Sequence, residues 1–418
     1  MRYAIVSRGL SRDRLEAEAL KVGAEEIRTA RLLNQVFCEL DDEQAEALSR
    51  IPGLTVKPVK EYRADQVSAA PPAVETFSQV FQLLRSYFAP PLTGAGLTVA
   101  VLDTGVRKTH RSLRGKVVYE ANCTDSPASD DVFGHGTQVA FVVCGGQHGE
   151  EKAGVSPGAW VMNIKVINDE GVGTDESVVD GIDLACDLAK RAKEDRLQAT
   201  DKMYPNIVNL SLGGEDDGDP ENPVRAACRQ AISDYGLEVV AAAGNFGPKM
   251  TTIAVPACDP EVVAVGALQT LSDFEIWEKS SRGPTVQGET KPDFVMWGTD
   301  LEMASNKADD EYVTKSGTSF AAPMLSGLTG LLWESGRRAY GDWWQFRWTE
   351  ARKVAPFFCV KSPEGALKKD NTYGFGLPAM GSMLTQMARP ILRPEEALVR
   401  MLPLIAMVGL MRGVVRIS

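Results

Sequence analysis

The chain has 418 residues, of which 44% are hydrophobic and 24% charged, and it carries a formal net charge of -11. This length and composition predict a globular protein with one large domain and additional smaller parts. The acidic balance, with a pI near 5.0, argues against a nucleic-acid-binding protein because it provides no large basic surface.

The first 66 residues alternate strand-like and helix-like segments in the order β-α-β-β-α-β. Strands are predicted in RYAIVS, in two parts of IRTARLLNQVFCEL and in LTVKPVKEY, and helices in SRDRLEAEALKVGA and DDEQAEALSRI. This order is the ferredoxin-like arrangement. We expect residues 1–66 to form a small α+β domain, followed by an exposed linker, rich in Ala and Pro, at 67–75.

Residues 76–383 have a different pattern, in which short apolar runs alternate with helical stretches. The runs include LTVAVL, WVMNIKVI, NIVNL, LEVVAAA and VVAVGAL, and they are typical of buried parallel strands. We therefore predict an α/β domain with a mainly parallel sheet, in which sites form beyond the carboxyl ends of the strands. The tail at 384–418 is apolar and net basic. We expect it to pack on the body, and a membrane-surface or partner-binding segment is the alternative.

Cysteine usage and the N-terminal segment bear on the compartment. The cysteines are odd in number and widely spaced without a CxxC motif, which predicts buried free thiols in a reducing environment. The N-terminal segment lacks the long apolar stretch of a secretory signal, and no segment reaches the length of a membrane-spanning helix. We expect a cytoplasmic protein. The cysteines are Cys38, Cys123, Cys144, Cys186, Cys228, Cys258 and Cys359.

Four polar residues stand where apolar segments begin or end. Asp103 closes the strand-like VAVLD, His135 opens a helix in GHGTQVA, Asn245 follows a strand in AAAGN, and Ser319 opens a helix in SGTSFAAP. Each alone has an ordinary interpretation as a cap or turn residue. Together they are the types that nucleophilic catalysis requires: a hydroxyl, an imidazole base, a carboxylate that orients it, and an amide donor for an oxyanion.

These blocks, with NLSLGG between them, resemble the signature segments of the subtilisin-like serine peptidases, the subtilase or S8 family, over about residues 75–380. The resemblance implies a three-layer α/β domain with a mainly parallel central sheet. It also implies that Asp103 orients His135, that His135 acts as general base, that Ser319 attacks the substrate and that Asn245 stabilises the oxyanion.

The same resemblance implies two edges that bind an extended peptide. One edge is the SLGG segment, with Ser211, Leu212 and Gly213, and the facing edge is GVGT, with Gly171 and Gly173. Glycines permit the close backbone approach that strand addition requires. Ordinary loop glycines are the alternative.

Several positions depart from the family pattern or extend it. Gln138 replaces a second histidine and Phe141 replaces a glycine, so local packing must differ. Ala254 stands where a glycine often opens the specificity pocket, which predicts an apolar, shallow pocket. For Asp175 and Glu176 we expect a solvated helix start, with a preference for basic substrate residues as the alternative.

The resemblance requires no cofactor, and no metal ligand is assigned. Ser112 stands where many relatives carry a calcium-binding Asp, and the loop GGQHGEEKAGVSP lacks the usual ligand pattern. We therefore expect the usual calcium site of the family to be absent. Calcium bound through backbone carbonyls elsewhere stays open.

The N-terminal domain resembles the inhibitory propeptide of these peptidases in its order of elements. In that interpretation the segment KEYRADQVSAA enters the active-site cleft, and cleavage falls between Tyr62 and Pro71. A permanently attached accessory domain is the alternative. The expected partners are a peptide or protein substrate and the chain's own N-terminal domain as inhibitor.

The sequence thus favours a serine endopeptidase that is made as an autoprocessed zymogen and hydrolyses peptide bonds through an acyl-enzyme. One alternative is a dedicated processing peptidase for a single partner, which would use the same residues. Another is a catalytically silent homologue that only binds peptides.

Overall fold

The structure is a computed structural model that describes residues 1–7, 9–30, 32–64, 67–68, 77–269, 274–342, 344–361, 368–380 and 383. The N-terminal unit contains six elements. They are β1 (Arg2–Val6), α1 (Arg12–Lys21), β2 (Glu25–Thr29), β3 (Gln35–Glu39), α2 (Asp42–Ser49) and β4 (Thr55–Pro58). Two short strands follow, β5 (Glu61–Arg63) and β6 (Val67–Ser68).

The N-terminal unit is a four-stranded antiparallel sheet in the order β2-β3-β1-β4, so the ferredoxin-like prediction is confirmed. Ser11 precedes α1, and a capping box formed by Asp41 and Gln44 begins α2. Apolar side chains of the sheet and both helices form a core of their own, which includes Ile5, Leu15 and Leu48. The unit therefore buries its own apolar face before it contacts the rest of the chain.

The larger part of the chain alternates strands and helices. Its elements are α3 (Phe77–Ser86), β7 (Thr98–Asp103), β8 (Val117–Asn122), α4 (His135–Cys144), β9 (Trp160–Lys165), β10 (Val172–Thr174), α5 (Asp175–Glu194), β11 (Ile207–Leu210), α6 (Pro223–Ser233), β12 (Glu238–Ala242), β13 (Val263–Leu268), β14 (Phe294–Trp297), β15 (Leu301–Ala304), β16 (Tyr312–Ser316), α7 (Thr318–Tyr340), α8 (Trp348–Ala351), a short 3-10 helix (Ala355–Phe357), β17 (Cys359–Val360) and β18 (Leu377–Pro378).

Seven of these strands form a parallel sheet in the order β14-β13-β12-β11-β7-β9-β8. Helices cover both faces, and alternate residues of β7 belong to the two cores. Val99 and Val101 pack in the cluster that includes α4 and α7, whereas Ala100 and Leu102 pack in the cluster that includes α5 and α6. The three-layer α/β architecture expected from the sequence is therefore the fold of this part of the chain.

The strand order places a ligand site at the carboxyl end of β7. From β7 the chain builds β8 and β9 on one side of the sheet and β11 to β14 on the other. The loops that leave neighbouring strands diverge at such a switch of direction and open a crevice. Asp103, the last residue of β7, stands at this crevice.

The predicted linker at 67–75 is wrong at its beginning. Val67 and Ser68 form β6, which pairs antiparallel with Ser316 and Lys315 of β16. The composition of this segment suggested exposure, but backbone pairing does not depend on side-chain type. The remainder of the linker, at 69–75, and the tail at 384–418 lie outside the described residues.

The seven cysteines are all free thiols, and five of them are buried, as predicted for a chain without a disulfide framework; Cys123 and Cys359 are half-buried. Burial raises the pKa of Cys144 to about 12, so that this thiol stays protonated at neutral pH. In the part of the chain that the structure describes, no helix has the length and apolarity needed to cross a membrane.

Candidate active site

Asp103 and His135 form a buried hydrogen-bonded pair. Nδ1 of His135 lies 2.7 Å from Oδ1 of Asp103, and the same oxygen accepts the backbone N–H of Thr104 at 2.7 Å. The side chain of His135 is 0% exposed and that of Asp103 is 1% exposed. A carboxylate in this position holds the imidazole in the tautomer that carries its proton on Nδ1, which leaves Nε2 as the basic nitrogen.

Asp131 holds the loops that carry this pair. Its Oδ1 accepts the hydroxyl of Thr104 at 2.8 Å and the N–H of Gly134 at 2.6 Å. Its Oδ2 accepts the N–H and the hydroxyl of Thr137 at 2.8 and 2.6 Å. One carboxylate thereby ties the residue after Asp103 to the residues on both sides of His135. Asp131 was not predicted as a site residue from the sequence. The one local signal for it was its position four residues before His135.

Ser319 lies in the first turn of α7. Its main chain is fixed by hydrogen bonds that involve β11 and the residue after it. The backbone carbonyl of Ser319 accepts the hydroxyl of Ser211 at 2.7 Å. The Ser211 oxygen accepts Nδ2 of Asn209 at 2.9 Å, and Oδ1 of Asn209 accepts the hydroxyl of Ser326 at 3.0 Å. All four residues are buried. Ser211, predicted as a substrate contact, therefore uses its side chain to position the turn that carries Ser319.

The fold brings His135 to the start of α7. The imidazole ring lies 5.5 Å, centroid to centroid, from the ring of Phe320, the residue that follows Ser319. Asp103 ends β7, His135 begins α4 and Ser319 lies in the first turn of α7. The three residues predicted as a catalytic set therefore share one site.

Asn245 directs its amide nitrogen towards the same space. Its Oδ1 accepts the N–H and the hydroxyl of Thr318 at 3.0 and 2.9 Å, which fixes the orientation of the amide. A Cβ placed on Gly317 would lie 3.6 Å from both Asn245 Nδ2 and the backbone nitrogen of Ser319. Two N–H donors thus border one small space beside Ser319, as an oxyanion hole requires.

The predicted peptide edges are occupied by the chain itself. Strand β5 pairs antiparallel with β10, with Tyr62 opposite Gly173 and Arg63 opposite Val172. On its other side, Arg63 exchanges two backbone hydrogen bonds with Gly213, both of 3.3 Å. The N-terminal extension therefore forms a middle strand between the two edges that the sequence predicted to bind a peptide.

The extension is also paired with the strand that precedes Ser319. Val67 lies opposite Ser316 in the pairing of β6 with β16, three residues before Ser319 along the chain. Arg63 and Val67 are thus paired with two different segments of the body, at Gly213 and at Ser316. Gly171 has a φ of 83°, and a Cβ there would meet the ring of Phe133 at 2.4 Å, so that this edge requires glycine.

The pocket beside Gly213 has an apolar wall. A Cβ on Gly213 would lie 2.9 Å from the Cβ of Ala254, and one on Gly244 would lie 3.1 Å from the same atom. Leu212 is buried, whereas Phe246 is 48% exposed. Ala254 therefore narrows the space between the two glycine segments. The prediction of a shallow apolar pocket is compatible with this wall and stays a prediction.

Helix α5 presents carboxylates to the N-terminal unit. Glu176 accepts two hydrogen bonds from the guanidinium of Arg2 at 2.9 and 2.8 Å. Asp183 accepts the backbone N–H groups of Leu32 and Leu33 at 2.8 and 2.9 Å. The carboxylates of α5 thus face a guanidinium and backbone N–H donors of the N-terminal unit. The contact between the unit and α5 is therefore electrostatically complementary.

The expectation of a solvated helix start at Asp175 and Glu176 is wrong. Asp175 is fully buried, and its Oδ2 accepts the backbone N–H of Lys60 at 2.6 Å. Burial raises the pKa of Asp175 to about 6, although its hydrogen bonds with Lys60 and Tyr62 act to lower this pKa. The sequence suggested exposure because the docked N-terminal extension, which covers the carboxylate, is distant along the chain.

The positions that depart from the family pattern have defined neighbours. The hydroxyls of Ser112 and Tyr312 lie 2.7 Å apart, and the ring of Phe141 packs against the rings of Phe77 and Tyr312. Gln138 is buried in α4, three residues after His135. Within the described ranges, no three His, Cys, Asp or Glu side chains converge to hold a metal ion. The expected absence of the usual calcium site stays a prediction.

Known serine proteases are similar to this chain in sequence. The chain is 33% identical over 264 residues to the serine protease AprX of Bacillus subtilis (strain 168), a match that covers 58% of each chain. It is 29% identical over 323 residues to a subtilisin of Bacillus sp. (strain TA39), with 71% of this chain and 72% of the subtilisin covered. It is 32% identical over 247 residues to an intracellular serine protease of Paenibacillus polymyxa, with 57% and 67% covered. The match thus spans only a little over half the length of AprX.

Solved structures show the same fold. Sphericase, at 26% identity, superposes with a TM-score of 0.55 over 69% of this chain and 92% of its own. A psychrophilic protease, S41, has a TM-score of 0.57 at 23% identity over 73% and 99% of the two chains. The family model of the subtilases (Peptidase S8) matches residues 94–376, more than half of the 418 residues. The chain therefore belongs to the subtilase family.

Proposed function

We propose that the protein is a serine endopeptidase that uses Asp103, His135, Ser319 and Asn245. The observation that carries the proposal is the peptide already bound in the cleft. The chain's own extension pairs as a strand with both predicted edges and continues to a pairing beyond Ser319. A site that binds extended main chain across an activatable serine is suited to peptide-bond hydrolysis.

In the proposed reaction, Ser319 Oγ attacks the substrate carbonyl while Nε2 of His135 takes the hydroxyl proton. Asp103 stabilises the imidazolium that forms and keeps its orientation. The N–H of Ser319 and the amide of Asn245 donate to the oxyanion of the tetrahedral intermediate. His135 then returns the proton to the leaving amine, and a water molecule hydrolyses the acyl-enzyme by the same steps.

The N-terminal unit is proposed to be an inhibitory propeptide that the enzyme removes from itself. This proposal is supported by the fit of β5 in the cleft and by the contacts of α5 with the unit. We expect cleavage between Tyr62 and Pro71. Because Arg63 pairs with Gly213 and Val67 with Ser316, the bonds between these two residues are the first candidates.

A cytoplasmic location is also a proposal. It is supported by the seven free thiols and by the printed description of the Paenibacillus polymyxa relative as intracellular. Export of the tagged protein into the medium of a producing culture would contradict it.

The first experiment is a time course of intact mass for the purified protein beside a Ser319→Ala variant. We expect wild type to lose about 60 to 70 N-terminal residues, a range set by the segment in the cleft, while the variant stays whole. Labelling with a fluorophosphonate probe provides the second readout because it reports an activated serine without any cleavage. A chain that stays whole and does not label would exclude the proposed activity.

A further inference from the structure

The cleft holds one aromatic side chain of the extension in a closed pocket. Tyr62 is 1% exposed and packs in the same apolar cluster as Leu212. Its backbone lies opposite Gly173, and a Cβ on Gly214 would lie 3.3 and 3.4 Å from the Cε1 and Cδ1 atoms of its ring. The glycine therefore makes room for a flat ring at this position of the bound strand.

The hydroxyl of Tyr62 has two polar partners at the end of this pocket. It donates to Oδ1 of Asp175 at 2.9 Å, and it accepts Nδ2 of Asn222 at 3.2 Å. Burial raises the pKa of Tyr62 well above its ordinary value, and the charge of Asp175 acts in the same direction. The phenol therefore keeps its proton, and its donor and acceptor capacities are both used.

These partners do not depend on the identity of the neighbouring residues in the bound strand. Asn222 is fixed by the body, because its Oδ1 accepts the backbone N–H of Arg225 at the start of α6 at 3.0 Å. The second oxygen of Asp175 accepts the backbone N–H of Lys60, which any residue of a bound peptide would supply. The ammonium of Lys60 contacts Asp217 instead.

We propose that this pocket is a substrate subsite that selects tyrosine, with Asp175 and Asn222 as the residues that determine the specificity. The proposal rests on the peptidase function proposed above and names a class of its substrates: peptides with a tyrosine at the position that Tyr62 occupies. Phenylalanine fills the same volume but lacks the hydroxyl that donates to Oδ1 of Asp175 and accepts Nδ2 of Asn222. Sites built to bind a hydroxyl discriminate strongly against analogues that lack it.

The test uses quenched fluorescent peptides with the sequence of residues 58–70, carrying Tyr, Phe, Arg or Ala at position 62. The enzyme is the purified wild-type protein, with its active sites titrated by the fluorophosphonate probe. We expect kcat/KM for the Tyr peptide to exceed that for the Phe peptide about tenfold or more. Equal values for Tyr and Phe, or a preference for Arg, in an enzyme that labels would overturn the subsite and leave the peptidase function standing.

Variants locate the selectivity. In Asp175→Ala we expect the ratio of Tyr to Phe to fall to about one to three, mainly because the Tyr peptide is cleaved more slowly. The matched control is Asp187→Asn in the same helix, whose carboxylate pairs with Arg191 at 2.6 Å. The control should keep the wild-type ratio, and a ratio that survives in Asp175→Ala would exclude Asp175 as its source. If Asp175→Ala does not fold, the wild-type peptide series still decides.

If the protein does not label with the probe, the proposed peptidase function is refuted. This result does not test the proposed tyrosine pocket, which is then tested by peptide binding. Because the chain's own Tyr62 fills the pocket, binding of the same four peptides is then measured by fluorescence polarisation on the full chain carrying Tyr62→Ala. We expect the Tyr peptide to bind about tenfold or more tightly than the Phe peptide. Equal affinities would refute the proposed tyrosine subsite in that case also.

Discussion

Asp183→Ala would remove one of the buried carboxylates that bind the N-terminal unit to the body. Asp183 is 2% exposed and accepts the backbone N–H groups of Leu32 and Leu33. A hydrogen bond to a charged group contributes about 1.5–3 kcal/mol. The substitution leaves the N–H groups of Leu32 and Leu33 without their acceptor. For each of the two lost hydrogen bonds we take the lower value, about 1.5 kcal/mol. The expected weakening of docking is about 3 kcal/mol, or about a hundredfold in the inhibition constant.

The assay compares inhibition of the processed enzyme by its own N-terminal unit in wild type and in Asp183→Ala. Peptide hydrolysis is followed while the inhibitor is titrated, and the active enzyme is counted by the fluorophosphonate probe. Glu194→Gln, at the end of α5, is the control because its carboxylate pairs with Lys190 of the same helix at 3.9 Å. An inhibition constant that changes less than threefold in Asp183→Ala, or equally in both variants, would refute the reasoning.

Three further predictions concern the chemistry and the pH dependence. Asp103→Asn should lower kcat by about 10⁴, because an amide favours the wrong imidazole tautomer; single-turnover hydrolysis measures this, and a loss below tenfold would contradict it. Asn245→Ala should lower kcat by about 10²–10³ with little change in KM; an effect on KM alone would exclude an oxyanion role. Burial raises the pKa of Glu238 to about 7, so the folded state binds a proton that the unfolded state releases near its ordinary pKa of about 4.3. The free energy of unfolding should therefore fall as pH rises from about 5 to 8, by at most about 3 kcal/mol, and Glu238→Gln should remove this decline in urea titrations of a Ser319→Ala chain.

The architecture of the body could be predicted because the buried strands are mostly apolar runs. Strands between helices in a sheet covered on both faces carry apolar residues at successive positions, and β7 and β12 both show this. The residues of the candidate site could be predicted because each lies directly where such a run ends or a helix begins. Asp103, His135 and Ser319 are examples. Local sequence patterns therefore predict both the strands of the sheet and the strand and helix ends at which the candidate site forms.

The roles of Asp131, Asp175 and Asn222 could not be predicted in the same way. Asp175 and Asn222 meet the hydroxyl of Tyr62 across 113 and 160 residues of sequence. No local pattern distinguishes a carboxylate that a distant segment covers from one that remains in solvent. Strand β6 was missed for a related reason, since main-chain pairing of Val67 and Ser68 leaves no mark in the side-chain pattern.

In the proposed function, inhibition and substrate selection would use one set of contacts in this chain. The strand that would block the cleft binds by the same main-chain pairings and the same tyrosine pocket that a substrate would use. The contacts of α5 with the ferredoxin-like unit, at Glu176 and Asp183, lie outside this strand and would not be made by a short peptide substrate. Changes in the pocket should therefore alter inhibition and hydrolysis together, because both depend on burying the same ring and hydroxyl. Changes on α5 should alter inhibition while leaving the selectivity among short peptides intact, so the two kinds of variant separate docking of the unit from recognition in the cleft.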